Sequence, residues 1–246
     1  SIYAILKILN TRAKNVTTIE DPIEYQIKGA NQVQVNAKTN LTFANGLRSI
    51  LRQDPNIIFV GEIRDSETAA IAVNASLTGH LVLSTLHTND AATAIPRLID
   101  MKVEPFLMAS TVSVIIAQRL VRKVCESCKT KTSYPYLNLI KYVPEDLVKS
   151  YFSNTSNESN TIAVFEGKGC KLCRMTGYSG RLGVFEVLEV SKEIRRLITE
   201  KEDAEIIKTA AIKEGMNTMI KDGFDKVARG LTTIEEVLRV SKLESL

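Results

Sequence analysis

No Gly-x-x-x-x-Gly-Lys-Ser/Thr segment occurs anywhere in the 246 residues. Such a loop cradles nucleotide phosphates with backbone amides and a lysine, so any nucleotide chemistry here must be read from other groups. The chain also lacks a membrane-spanning run. Its longest apolar candidate, Phe106 to Ala117, contains Ser110, Thr111 and Ser113 and runs into Gln118-Arg119. A spanning helix needs about 20 apolar residues, so this stretch predicts a buried helix, and any membrane association must come through a partner. No secretory leader opens the sequence: Ser1 leads straight into Ile2-Tyr3-Ala4-Ile5-Leu6 without a basic region. Charge of one sign is not in excess. The net of +4, from 32 basic and 28 acidic residues, is too mild to argue for nucleic acid. No cysteine lies outside two Cys-x-x-Cys pairs, which argues against a secreted disulfide framework and for metal-bound thiolates in a reducing compartment. Internal repeats are absent.

What is present is ordinary in bulk: 44% hydrophobic and 24% charged residues, enough for one large domain and a small one. Ile2, Ile5, Leu6 and Leu9 mark one face of a helix, without an upstream cap, as if the chain starts inside an element. Val16–Asp21 is β-branched and reads as a strand stopped by Pro22. Gln32–Asn36 alternates like a half-exposed strand. Phe43–Arg52 reads as a helix, Ile57–Ile63 as a strand buried on both faces, Ser66–Leu77 as a helix stopped at Gly79, and Leu81–His87 as another buried strand. Asp90–Met101 and Pro105–Arg122 read as helices. This alternation predicts a parallel α/β sheet over residues 1–122. Residues 123–186 hold both thiol pairs, a polar stretch Tyr151–Asn160 read as a mobile loop, and several glycines. Two glycosylation triplets in that stretch are discounted for a thiol-metal protein. Residues 187–246 read as all-helical.

Cys125, Cys128, Cys170 and Cys173 have the spacing of a four-sulfur Zn²⁺ site. Lys123, Lys129, Lys171 and Arg174 flank the sulfurs and would offset their charge. A redox pair of the thioredoxin kind would leave the second pair unexplained. Glu62, after the strand Ile57-Ile58-Phe59-Val60 and Gly61, lies where open α/β sheets bind ligands. There it can orient or deprotonate a water attacking a γ-phosphate, or simply pair with Arg64. Glu20, Asp21 and Glu24 end another strand on the same edge, and converging carboxylates there suggest Mg²⁺. His87 follows the third strand and could sense a γ-phosphate, whereas His80 reads as a hydrogen-bonding residue at that strand's start. Arg48 and Arg52 share a helix face. They could neutralise phosphate charge or pair with the acidic strand ends.

These segments together resemble the ATPases of bacterial type II secretion and type IV pilus assembly. Val16–Tyr25 resembles the family's aspartate box. Leu47-Arg48 through Asp65 resembles its arginine helix and Walker B strand, and Thr78–Asp90 its histidine box. The thiol pairs with Gly177–Gly183 resemble its zinc module. The resemblance implies a RecA-like ATPase core, ATP, Mg²⁺ and Zn²⁺ as cofactors, a homo-hexamer, and a membrane platform protein as partner at the cytoplasmic face of the inner membrane. It places Glu62, Glu20, Glu24, His87, Arg48 and Arg52 in catalysis, with Asp21, Arg64 and His80 around the nucleotide. It also implies that the phosphate loop lies upstream of Ser1. Ile116–Arg122 resembles the assembly-type motors rather than the retraction type, which lack the thiol pairs. A DNA-uptake or conjugation motor, or a non-catalytic zinc-stabilised interaction module, are the alternatives.

Overall fold

The computed structural model describes residues 1–152 and 161–241. Most of the polar stretch expected as a mobile loop, with its glycosylation triplets, lies outside the described residues. Two compact units are present, each assembled from separate stretches of chain. The first comprises Ser1–Thr88, Ala92–Ser113 and Val190–Ala210, and the second Asn89–Ala91, Val114–Glu189 and Ala211–Leu246. They are described in turn.

The first unit opens with α1 (Ile2–Leu9), followed by β1 (Val16–Glu20) and β2 (Asn31–Gln34). Next come α2 (Phe43–Ile50), β3 (Ile57–Val60), α3 (Ser66–Leu77) and β4 (Leu81–Ser84). The strands form one parallel sheet in the order β2-β1-β3-β4. The central strands are buried throughout, as their β-branched and apolar sequences require. One sheet face packs Val16, Ile57 and Phe59 against Leu6 of α1 and Ile27. Each fully buried side chain of this size contributes about 1.5–3 kcal/mol. Helix α3 starts where Asp65 accepts the Thr68 amide at 2.7 Å, a side-chain cap on an orphan donor. Helices α4 (Ala94–Asp100) and α5 (Pro105–Thr111) follow, and α8 (Lys192–Glu200), capped by Ser191, packs on α5. Helix α9 (Ala204–Lys213) begins here and its last residues belong to the second unit.

The second unit is built on two antiparallel ribbons. One pairs β5 (Val114–Val124) with β8 (Tyr178–Glu189); the other pairs β6 (Lys129–Pro135) with β7 (Thr161–Gly167). Short helices α6 (Tyr136–Leu139) and α7 (Glu145–Tyr151) pack with α10 (Met219–Ala228) and α11 (Ile234–Ser241) around Leu139, Val148, Phe152, Ile162, Val164, Phe224 and Val237.

Five expectations need correction. The helix expected over Pro105–Arg122 ends at Thr111, and Val114 onward is strand. Its run Val112-Ser113-Val114-Ile115-Ile116 is β-branched and finds a partner in β8, seventy residues downstream in sequence. Strand β4, expected to be buried, is an edge: Leu81 is 45% exposed. Strand β3 stops at Val60, and the helix expected from Asp90 begins at Ala94. Extended chain persists to Glu189 before the C-terminal helices begin.

Candidate functional site

The parallel register puts the ends of β1, β3 and β4 on one edge of the sheet. Glu20 closes β1 and is only 3% exposed. Its carboxylate receives three donors: Thr18 Oγ1 donates to Oε1 at 2.6 Å, Gln32 Nε2 to Oε1 at 3.0 Å, and the Tyr3 hydroxyl to Oε2. Burial, then the carboxylate beside it, pushes the Tyr3 phenol up, which keeps it a donor. Tyr3, Thr18 and Gln32 were not singled out from sequence. The available signals were the polar tip of Tyr3 beside the apolar stripe of α1 and the polar positions of the alternating β2.

Gly61 leaves the ladder next to Glu20. Its amide donates to Ile19 O at 2.7 Å, and a Cβ there would sit 3.2 Å from both Glu20 Cα and Ile19 O. That crowding explains a glycine where an aspartate is common in such strands. Glu62 follows, its side chain 12% exposed. It pairs with Arg64 and accepts from or shares a proton with His87 Nε2 at 2.7 Å. The Arg64 contact lowers the Glu62 carboxyl most, burial opposes it, and His87 adds to the lowering. Arg64 also lies in the field of Asp21. Thr85 ties the loop after β4 to this edge, donating from Oγ1 to Gly61 O at 2.6 Å while its carbonyl accepts the Ile63 amide at 3.0 Å.

The other expected residues fall elsewhere. His80 caps α3, its Nδ1 2.9 Å from Ala75 O and 3.1 Å from Thr78 Oγ1. Arg48 pairs with Glu67 of α3 at 2.6 Å, and Arg52 Nη1 donates to Arg48 O at 3.0 Å. Neither arginine reaches an acidic strand end. Asp21 and Glu24 are exposed, and the Glu24 amide donates to the Tyr3 hydroxyl at 3.2 Å.

In the second unit the four cysteine sulfurs lie within 4.8 Å of one another. Cys125–Cys170 and Cys128–Cys173 are 3.9 Å apart and Cys170–Cys173 3.7 Å. Four sulfurs about 2.3 Å from a tetrahedral Zn²⁺ stand about 3.8 Å apart, so the donor set fits the ion. A disulfide needs about 2.05 Å. Cys125 follows β5, Cys128 precedes β6, and the second pair sits between β7 and β8. The Cys128 amide donates to Cys125 O at 3.2 Å, and the amides of Cys170 and Gly177 donate to Cys173 Sγ at 3.1 and 3.3 Å. Burial opposes ionisation of Cys173, but these amides draw its thiol down to about 6. Burial pushes Cys128 up to about 12. Gly177 has φ +77° and passes so close to Gly167 that a Cβ on Gly167 would lie 2.0 Å from Gly177 O. The basic collar expected around the sulfurs is partly spent: Lys123 and Lys129 reach Glu126 at 3.6 and 3.8 Å.

A parallel α/β sheet with carboxylates and a histidine on one edge, joined to a tetracysteine cluster, defines an α/β protein of the traffic-ATPase fold. The pilus retraction motor PilT, solved with ADP, aligns with a TM-score of 0.67 and 28% identity over all of this chain and 59% of that one. The Legionella pneumophila ATPase DotB shares the fold, with a TM-score of 0.63 over 98% of this chain and 56% of its own at 23% identity. The family model for the Type II/IV secretion system protein matches residues 1–239, and the chain belongs to that family. It is 50% identical over 236 residues to the type IV pilus assembly ATPase PilB of Thermus thermophilus, covering 96% of this chain and 25% of that protein. It is 46% identical over 242 residues to the type II secretion system protein HxcR of Pseudomonas aeruginosa, covering 98% and 45%. The chain thus spans between a quarter and just under half of these relatives. Among the described residues, no helix is long and apolar enough to cross a membrane.

Proposed function

We propose that this chain carries the strand-edge catalytic groups and the zinc module of a bacterial motor ATPase, whose intact form hydrolyses ATP with Mg²⁺ to drive pilin or pseudopilin assembly. The observation that carries this reading is the Glu62–Arg64–His87 cluster at the carboxyl edge of the parallel sheet, beside buried Glu20.

A carboxyl held below its usual range is ionised at neutral pH and is a weak base. Glu62 therefore orients and polarises the attacking water more than it takes its proton. His87, on the same carboxylate, stands where it can meet the γ-phosphate. Arg64 keeps Glu62 in place and offsets charge near Asp21. Glu20, with its three donors, and Glu24 would hold Mg²⁺ through water. Arg48 and Arg52 stand apart from this edge, so a direct phosphate role for them requires a change of partner. His80 supports the strand that delivers His87. Zn²⁺ held by Cys125, Cys128, Cys170 and Cys173 would lock β5, β6, β7 and β8 together and supply structure, not chemistry. Functionally, the ATPase groups lie within residues 1–122, the zinc thiols within 123–186 and the C-terminal helices within 187–246. The assembled protein is a cytoplasmic homo-hexamer acting on a platform protein of the inner membrane.

The test is Glu62→Gln in the full-length protein. ATP binding should persist while turnover falls about 10²–10⁴-fold, the range for a positioned acid-base group. Turnover at the parental rate overturns the reading.

A further inference from the structure

Strand periodicity decides what stands over Glu20. In β1, Val16, Thr18 and Glu20 share one face, and the parallel register sets Thr18 beside Gln32 of β2. Val16 packs on that face against Leu6 of α1. Tyr3 lies one helical turn before Leu6 and so stands over the same face. Its ring meets Phe59 of β3 edge-on, with centroids 6.2 Å apart.

The chain between β1 and β2, Asp21–Ala30, is neither helix nor strand. Among the described residues, the one backbone–backbone bond within it runs from the Ala30 amide to Ile27 O at 3.1 Å. Side chains supply the other anchors, and two of these also hold Glu20. The Tyr3 hydroxyl donates to Glu20 Oε2 and accepts the Glu24 amide at 3.2 Å. Gln32 Nε2 donates to Glu20 Oε1 and to Tyr25 O, each at 3.0 Å, while its Oε1 accepts the Ile27 amide at 2.7 Å. Turning that carboxamide over would set its oxygen against two acceptors and its nitrogen against a donor, so the network fixes its orientation. Filling space requires none of this. A phenylalanine at position 3 would keep the ring contacts, and a buried carboxylate needs donors but not donors that also reach the neighbouring loop.

We propose that Tyr3 and Gln32 are positioning residues that lock the Asp21–Ala30 segment to Glu20, holding Glu24 at a fixed spacing from it at the sheet edge. Each does so with one polar group that touches both the carboxylate and the segment's backbone. That these carboxylates serve Mg-ATP rests on the ATPase reading above; the locking does not.

The test is amide hydrogen exchange on the 246-residue chain, joined to turnover of the full-length protein. Tyr3→Phe deletes one oxygen and keeps the ring against Phe59 and against Tyr25, whose centroid is 5.4 Å away. It should speed exchange at Glu24 about two- to tenfold, the contribution of one hydrogen bond, and leave the β3 amides at the parental rate. Gln32→Ala should do the same at Ile27. In the full-length protein both variants should need more Mg²⁺ for half-maximal turnover, by about the same factor. Parental exchange at Glu24 in a folded Tyr3→Phe chain, or at Ile27 in a folded Gln32→Ala chain, would overturn the proposal. So would acceleration shared by the β3 amides, which marks general loosening. If Gln32→Ala fails to fold, Tyr3→Phe decides alone. Local acceleration with a parental Mg²⁺ requirement would support the locking and sink instead the assignment of Glu20 and Glu24 to Mg²⁺.

Discussion

Glu236 on α11 makes a demanding test of how the second unit holds together. Its side chain is 1% exposed and receives Arg122 Nη2 at 2.9 Å, the Arg122 amide at 2.7 Å, and Arg239 Nε and Nη2 at 3.0 and 2.9 Å. Arg122 also lies 4.0 Å over the Tyr178 ring, and its carbonyl accepts from Thr232 at 2.8 Å. This clasp fastens α11 to β5 just before Cys125. Burial pushes the Glu236 carboxyl up, but the Arg239 and Arg122 guanidiniums and the Arg122 amide pull it down to about 2. Against an unfolded value of about 4.3, that gap is worth about 3 kcal/mol at most. Both guanidiniums are more than half exposed, so water and salt screen part of it. Glu236→Gln at pH 7 should therefore cost about 1.5–3 kcal/mol, or about 4–10 °C in Tm for a chain of this size. Because the folded pKa is the lower one, the contribution is fully present above the unfolded value and fades as pH falls through the folded one. The gap between parent and variant should be level from about pH 7 to 5 and fall by roughly half near pH 3. Urea unfolding at matched metal content across that range is the assay. A variant within about 0.5 kcal/mol of the parent at pH 7, the range of an ordinary surface change, or a gap that widens toward acid, would refute the reasoning.

Metal analysis of reduced protein should find one Zn²⁺ per chain, and stripping it should unfold the segment between the thiol pairs; structural zinc contributes about 10–16 kcal/mol in small peptides and less inside an enclosing fold. Metal-free reduced protein with that segment intact would dismiss the site. Gly61→Ala should destabilise by about 1–3 kcal/mol, because both atoms it would crowd are backbone; parental stability in urea would show that the sheet edge can spread. The 246-residue chain should bind Mg-ATP weakly in calorimetry. It encodes no phosphate loop, and Glu20 and Glu62 repel phosphate unless Mg²⁺ intervenes; micromolar affinity would mean the nucleotide site is misplaced.

Sequence spacing alone was enough for whatever depends on neighbours along the chain. Two Cys-x-x-Cys pairs can meet at one point because each knuckle brings its own sulfurs together, and the structure draws all four within 4.8 Å of one another. The β-branched run at Val16 reads as a strand and the apolar run at Ile57 as a strand buried on both faces, and parallel strands send their carboxyl ends, hence Glu20 and Glu62, to one edge. His87 was legible for the same reason, and the pairing with Arg64 was one of two readings left open. Tertiary structure decided everything that needed a partner distant in sequence. Val114–Val124 became strand because β8 was there to pair with, which no local period reveals. Arg48 chose Glu67 on the neighbouring helix over the strand-end carboxylates. Glu20 gained Tyr3 and Gln32 only when α1 and β2 folded against β1. Glu186 reached the Ala91 amide across ninety-five positions of sequence. Charged and polar side chains satisfy themselves with whatever folding brings close, and that is set by packing, not by spacing along the chain.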